Sequence, residues 1–179
     1  HGVRARGGAV SMPSRAPRIV VMGPSGSGKT AVGAALAVDF GVDFVDADDL
    51  HPAQNVAKME SGVPLDDDDR RPWLDVVGRR LASSPGLVMA CSALARRYRD
   101  RIREAAPDTR FVELVVSRAE LDRRMRSRQH FMPVALLESQ LATLEHLGAD
   151  EDGVAVENIG GIIEVAARAR AALDQAERR

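Results

Sequence analysis

Between an apolar, β-branched run and an alanine-rich stretch stands Gly23-Pro24-Ser25-Gly26-Ser27-Gly28-Lys29-Thr30, and no other segment restricts the fold as much. A Gly-x4-Gly-Lys-Ser/Thr loop functions where a buried strand runs into it and a helix starts from it. Both neighbours are here: Arg18 to Met22 reads as a buried strand, and Gly28 to Phe40 as a helix stopped by Gly41. Glycine lets backbone N–H groups turn toward a phosphate chain with no Cβ in the way, and the helix N-terminus adds a favourable field for an anion. The loop therefore predicts a nucleotide site built from Gly23, Ser25, Gly26, Ser27 and Gly28. Lys29 is expected to reach the β- and γ-phosphates of ATP, and Thr30 to hold Mg²⁺.

Downstream, short apolar runs alternate with helical patterns. Strands are predicted at Asp43 to Asp46, Leu87 to Ala90, Phe111 to Val116 and Val154 to Val156. Helices are predicted at Pro52 to Glu60, Arg71 to Ser83, Ala93 to Ala106, Glu120 to Arg128, Val134 to Leu147 and Gly161 to Glu177. The alternation predicts an α/β P-loop NTPase with a parallel sheet flanked by helices, its ligands at the carboxyl ends of the strands. Residues 1–16, rich in Arg, Gly, Ser and Pro and without periodicity, read as a disordered leader or remnant, and 17–179 as a single kinase domain.

Composition narrows the partners. Net charge is -1 and aromatic content 3%, which argues against a nucleic-acid partner, and no apolar run is long enough to span a bilayer. One cysteine, Cys91, allows no internal disulfide and fits a cytoplasmic setting. Of 25 basic residues only Lys29 and Lys58 are lysines, so Lys58 too is a candidate for a site that needs an ammonium. A GTPase switch would carry Asn-Lys-x-Asp, and neither lysine follows an asparagine. A small-molecule kinase remains, with a nucleotide-dependent binding module that has lost turnover as the alternative from another class.

The second strand runs out through Asp46-Ala47-Asp48-Asp49-Leu50-His51-Pro52. Strand alternation would give Asp46 and Asp48 one facing beside the phosphate loop. Phosphoryl transfer needs a placed metal and an oriented hydroxyl. Asp48 is assigned to the acceptor hydroxyl and Asp46 to the water shell of the metal; Asp49 or His51 could instead cap the helix after Pro52. Strand Leu87 to Ala90 ends in Cys91-Ser92, where many P-loop enzymes carry an Asp, which leaves Asp46 to supply the acid. Ser92 can touch substrate or cap the following helix, and Asp69 can cap a helix from Arg70 or Arg71.

These segments resemble the gluconate kinase family over nearly the whole chain from Ile19 onward. The resemblance is carried by the phosphate loop, Asp46-Ala47-Asp48 with His51-Pro52, Asn55 to Met59, Ser61 to Leu65 and Asp67 to Leu74. It continues through Cys91-Ser92-Ala93-Leu94, Tyr98-Arg99-Asp100, His130-Phe131-Met132-Pro133 and Ser139-Gln140. It implies a shikimate-kinase-like or nucleoside-monophosphate-kinase-like core with a helical lid at about 118–135. It also implies ATP- and Mg²⁺-dependent phosphorylation of D-gluconate at its 6-hydroxyl, and a homodimer. Asp48, His51, Lys58, Arg70 and Arg99 become candidate substrate residues, with Ser92 and His130 beside them. Two departures stand out: Ala47 replaces a Gly, and one residue fewer separates Arg128 from His130 than in the family pattern. Chemically, Arg70, Lys58 and Arg99 suit a carboxylate, while Asp48, His51 and Ser92 suit hydroxyls. A kinase of another acceptor, a shikimate-like acid or a nucleoside monophosphate, remains open.

Arg123, Arg124, Arg126 and Arg128 crowd one helix, and like charges so close repel unless an anion or water answers them. Arg124 and Arg128, four apart on one face, are expected to meet the transferring phosphoryl group as a lid closes.

Overall fold

The computed structural model describes residues 15–127 and 134–179. Five strands, β1 (Arg18–Met22), β2 (Asp43–Asp46), β3 (Leu87–Ala90), β4 (Arg110–Val115) and β5 (Gly153–Glu157), form one parallel sheet in the order β2-β3-β1-β4-β5. Among the described residues seven α-helices surround it: α1 (Lys29–Phe40), α2 (Ala53–Glu60), α3 (Asp67–Ser83), α4 (Arg96–Ala105), α5 (Arg118–Ser127), α6 (Val134–Thr143) and α7 (Ile162–Glu177).

Alternation along β1 divides the core in two. Val20 and Met22 pack with Trp73, Leu74 and Val77 of α3 and Tyr98 and Ile102 of α4. Ile19 and Val21 pack with Val32 and Leu36 of α1 and Val165 and Leu173 of α7. With both faces covered, the inner strands β1 and β3 are buried along their whole length and read as apolar runs and not as alternating ones, as buried parallel strands do. Register sets the site: Asp46 lies level with Ala90 and Val21, so the loops after β1, β2 and β3 leave the sheet at one edge.

Where element boundaries differ from the sequence reading, long-range contacts explain the shift. Helix α3 starts four residues early, running through Pro72, because Asp66 and not Asp69 is its cap. Asp66 accepts from the backbone N–H of Asp69, whose side chain returns a bond to the Asp66 N–H. Helix α6 stops at Thr143 because 145–147 is stitched elsewhere: Glu145 N–H donates to Leu94 O at 2.7 Å, and Leu147 N–H to Glu113 at 3.0 Å. Helix α4 begins at Arg96 with Ala95 as its cap residue, so Ser92 does not cap it. Asp49 and His51 do not cap α2 either. Asp46 caps the short 3-10 turn Ala47–Leu50, and α2 starts from Pro52. Of the leader at 1–16, only Arg15 and Ala16 are described, Arg15 pairing with Asp108 at 3.2 Å. Among the described residues no helix is long and apolar enough to cross a membrane.

Candidate active site

The phosphate loop turns on glycines with positive φ: +149° at Gly23, +83° at Gly26 and +92° at Gly28. At Gly28 a Cβ would also stand 2.4 Å from Asn158 Nδ2, which donates to Ser27 O at 2.6 Å. Only glycine satisfies both the backbone and this approach. Ser27 is fully buried and its hydroxyl has no partner among the described residues. Lys29 Nζ folds over the loop and donates to Pro24 O at 3.1 Å.

Thr30 Oγ1 donates to Asp46 Oδ2 at 2.9 Å, and Asp46 Oδ1 accepts from the Asp48 N–H at 3.0 Å. The second bond corrects the alternation argument. The strand ends at Asp46, and Asp48 enters the cleft from the 3-10 turn that Asp46 caps. A hydroxyl and a carboxylate side by side suit Mg²⁺, which keeps several waters and takes few protein ligands beside substrate phosphates. Among the described residues no group of three or more His, Cys, Asp or Glu that could hold a metal ion gathers.

Behind the loop lies a cleft walled by Lys29, Asp48, His51, Arg70, Ser92 and Gln140, with Met59, Pro64, Leu65, Trp73, Leu94 and Leu136 as its apolar part. Crowding by these walls raises the Asp48 carboxyl above its usual range, while Lys29 pulls it down and Asp46 and Asp49 push it up. Its side chain is 71% exposed to the cleft, so water limits that rise. His51 stacks on Trp73, ring centroids 4.0 Å apart, and Trp73 is fixed by its N–H to Ala47 O at 2.8 Å. Burial, with the Arg70 charge, holds His51 down at about 4.

Arg70 Nη1 donates to Tyr98 Oη at 2.8 Å, and Tyr98 donates to Asp67 at 2.5 Å. Arg97 forks onto the same Asp67, at 2.8 and 3.0 Å, and with Tyr98 holds its carboxyl down at about 2. Arg70 is thereby propped at the cleft wall by a side chain that itself is neutral. Ser92 also lines the cleft, and its carbonyl accepts from the Gly23 N–H at 3.3 Å, tying β3 to the loop.

Three expected substrate residues stand elsewhere or outside view. Arg99 is not in the cleft: its side chain is fully buried and paired with Glu151. Its Nη1 donates to Ala93 O at 3.0 Å and Glu145 O at 3.0 Å, which uses up the fork meant for a substrate carboxylate. Lys58 is not a cleft wall either; its Nζ lies 2.5 Å from Asp69 Oδ2, which raises the lysine and lowers the aspartate. His130 lies outside the described residues, as does Arg128. Arg124 is described and touches the loop directly, donating to Gly26 O at 3.1 Å and Asn158 O at 3.3 Å. Its neighbour Glu120 answers both Arg123 and Arg124, relieving the crowding that suggested an anion.

Two residues at the loop were not assigned from sequence. Gln140 Oε1 accepts from the Ser25 N–H at 2.7 Å, reaching the loop from α6, and Asn158 braces it from the end of β5. The Ser139-Gln140 pair was visible as a segment of the family pattern.

The parallel sheet, the loop at its central strand and the acid-lined cleft define a P-loop kinase. A family model described as an AAA domain matches residues 19–147. The gluconokinase of Gluconobacter oxydans (strain 621H) is 47% identical over 143 residues, 77% of this chain and 80% of that one. A crystal structure of a gluconokinase from Sinorhizobium meliloti 1021 superposes with a TM-score of 0.85 at 47% identity, covering 92% of this chain and 95% of that one. A shikimate kinase from Bacteroides thetaiotaomicron shares the fold alone, with a TM-score of 0.65 at 19% identity over 88% of this chain and 98% of that one. The chain belongs to the gluconokinase family.

Proposed function

We propose that this chain transfers the γ-phosphoryl group of ATP to the 6-hydroxyl of D-gluconate, giving 6-phosphogluconate and ADP. The observation that carries the reading is the meeting of Lys29, Asp48 and Arg70 in one cleft at the mouth of the phosphate loop. The loop amides and Lys29 hold the phosphate chain. Asp48, its carboxylate open to the cleft, accepts the hydroxyl proton as the acceptor oxygen bonds to the γ-phosphorus and ADP leaves with the bridging oxygen. Arg70 supplies the charge for the substrate carboxylate, and Ser92 and His51 the bonds to its hydroxyls. Thr30 and Asp46 would hold Mg²⁺, which supplies charge neutralisation at the phosphates. Arg124, already on the loop at Gly26, is with Arg128 the lid arginine pair this reading assigns to the phosphates, and His130 is assigned to the substrate.

On the strength of the family we extend the reading to a cytoplasmic homodimer; sedimentation of the purified chain tests the second part. The deciding experiment is ADP release from Mg-ATP with D-gluconate, shikimate, AMP or no acceptor. Stimulation by gluconate alone supports the reading. Stimulation by another acceptor keeps the kinase and removes the substrate, and ATP binding without any stimulation favours a regulatory module.

A further inference from the structure

Asn55 is fully buried on α2, one turn beyond His51, and its amide has a single possible orientation. Its Nδ2 lies 2.9 Å from Asp69 O and 3.3 Å from His51 Nδ1. A backbone carbonyl only accepts, so the nitrogen and not the oxygen must face Asp69. That leaves the second amide hydrogen for His51 Nδ1, which can take it only with a free lone pair. Asn55 Oδ1 has no partner among the described residues, an unmade bond at full burial. A residue kept for packing alone has no reason to carry that cost; its nitrogen is the part in use.

With Nδ1 accepting, a neutral imidazole carries its proton on Nε2. That nitrogen faces the cleft, 3.9 Å from Asp48 Oδ1. The ring is held neutral by its surroundings: its side chain is 3% exposed, it stacks on Trp73, and the Arg70 charge lies nearby. We infer that Asn55 is a positioning residue that fixes His51 as the Nε2–H tautomer, so that His51 meets the acceptor as a hydrogen-bond donor and never as the base. The inference deepens the function proposed above and rests on it in one respect, that this cleft receives the acceptor. It divides the labour at the hydroxyl: Asp48 alone offers lone pairs for the departing proton, while His51 orients an oxygen of the acceptor. It also sets a selectivity. An acceptor oxygen opposite His51 is recognised, whereas a protonated amine there meets an N–H and is rejected.

The test begins with long-range proton–nitrogen NMR of the ¹⁵N-labelled full chain, without nucleotide or acceptor, at neutral pH. The chain has four histidines, and the His51 signals are those lost in His51→Gln. The expected spectrum is neutral Nε2–H for His51, turning to a mixture of tautomers in Asn55→Leu. Kinetics supply the second readout. Asn55→Leu should raise KM for gluconate about tenfold and leave KM for ATP within about twofold. His51→Gln, whose amide nitrogen replaces Nε2, should keep kcat/KM within about tenfold of the parent, and His51→Asn should fall about a further tenfold. An Nδ1–H tautomer or an imidazolium in the parent protein overturns the inference, as does equal activity of the Gln and Asn variants. If Asn55→Leu fails to fold, the parent spectrum and the Gln/Asn pair still decide. The two readings fail separately: inactive gluconate with an Nε2–H His51 removes only the substrate, and active gluconate with an Nδ1–H His51 removes only the tautomer assignment.

Discussion

Arg99 Nε and Nη2 fork onto the two carboxylate oxygens of Glu151, at 2.8 and 2.7 Å, with both side chains out of solvent. Arg103 adds a third bond at 2.6 Å, and together these cations hold Glu151 down at about 2. The pair is a clasp. It joins α4 to the turn before β5, and the remaining donors of Arg99 hold carbonyls of Ala93, Leu94 and Glu145. Removing Arg99 empties a fully buried site and leaves the buried Glu151 carboxylate with Arg103 as its remaining cation, which costs about 3–5 kcal/mol. Arg99→Ala should therefore lower Tm by about 10 °C, on the scale of 2–4 °C per kcal/mol for a chain of this size. Where the variant is folded, KM for gluconate should stay within about threefold of the parent. A large rise in KM with an unchanged Tm, by calorimetry and steady-state kinetics, would return Arg99 to the substrate site.

That clasp also shows what a sequence can and cannot carry. The phosphate loop was legible because its chemistry is local: three glycines, a lysine and a threonine lie within eight residues, between a strand and a helix. The parallel sheet was legible because its inner strands β1 and β3 are buried throughout and read as apolar runs. Glu151 lies 52 residues from Arg99, and nothing near either marks the partnership, so Arg99 stood as a substrate candidate on the resemblance. The same holds for Lys58 with Asp69, and for Gln140, whose bond to Ser25 spans 115 residues. Asp48 does line the cleft, but by a route the alternation argument missed: it arrives through a capped turn and not along the strand.

Arg70 is the cation left at the cleft once Arg99 and Lys58 are accounted for among the proposed substrate residues. Tyr98 orients it through a bond to its Nη1, leaving the other guanidinium edge for a carboxylate. Arg70→Ala should raise KM for gluconate by about 10²-fold or more, the loss of a charge-assisted fork, with KM for ATP little changed. Arg70→Lys should recover only part of this, because a point charge cannot pair bidentately. An effect confined to KM for ATP, in initial-rate measurements varying each substrate, would remove Arg70 from the acceptor site.

Asp46 has two duties, capping the turn that carries Asp48 and accepting from Thr30. Asp46→Asn keeps an oxygen for the cap but removes the charge that would draw Mg²⁺. The variant should need about tenfold more free Mg²⁺ for half-maximal turnover, since ligand charge sets affinity for a hard cation. Its kcat at saturating Mg²⁺ should fall less than its activity at limiting Mg²⁺. Titration of ADP formation against Mg²⁺ at fixed ATP is the check, and an unmoved midpoint would leave Asp46 as a cap only.

If Asp48 is the proton acceptor proposed above, activity follows pH in a definite direction. Crowding in the cleft raises its folded pKa above the ordinary value of 3.8, against the pull of Lys29. A carboxyl whose pKa is raised by folding destabilises the native state once pH exceeds that pKa, and protonation relieves the cost as pH falls. Catalysis needs the other form, because only the carboxylate accepts a proton. Activity should thus decline as pH falls through the raised pKa, in the same range where this residue's cost to stability disappears. Asp48→Asn uncouples the two. Its kcat should drop by about 10³-fold or more, as for loss of a group that handles the transferred proton, and the acid limb of its residual kcat/KM should vanish. Its Tm at neutral pH should be no lower than that of the parent, since a neutral amide carries no charge to crowd. Near-normal turnover in Asp48→Asn, or an acid limb unchanged from the parent, would move the proton acceptor to another residue of the cleft.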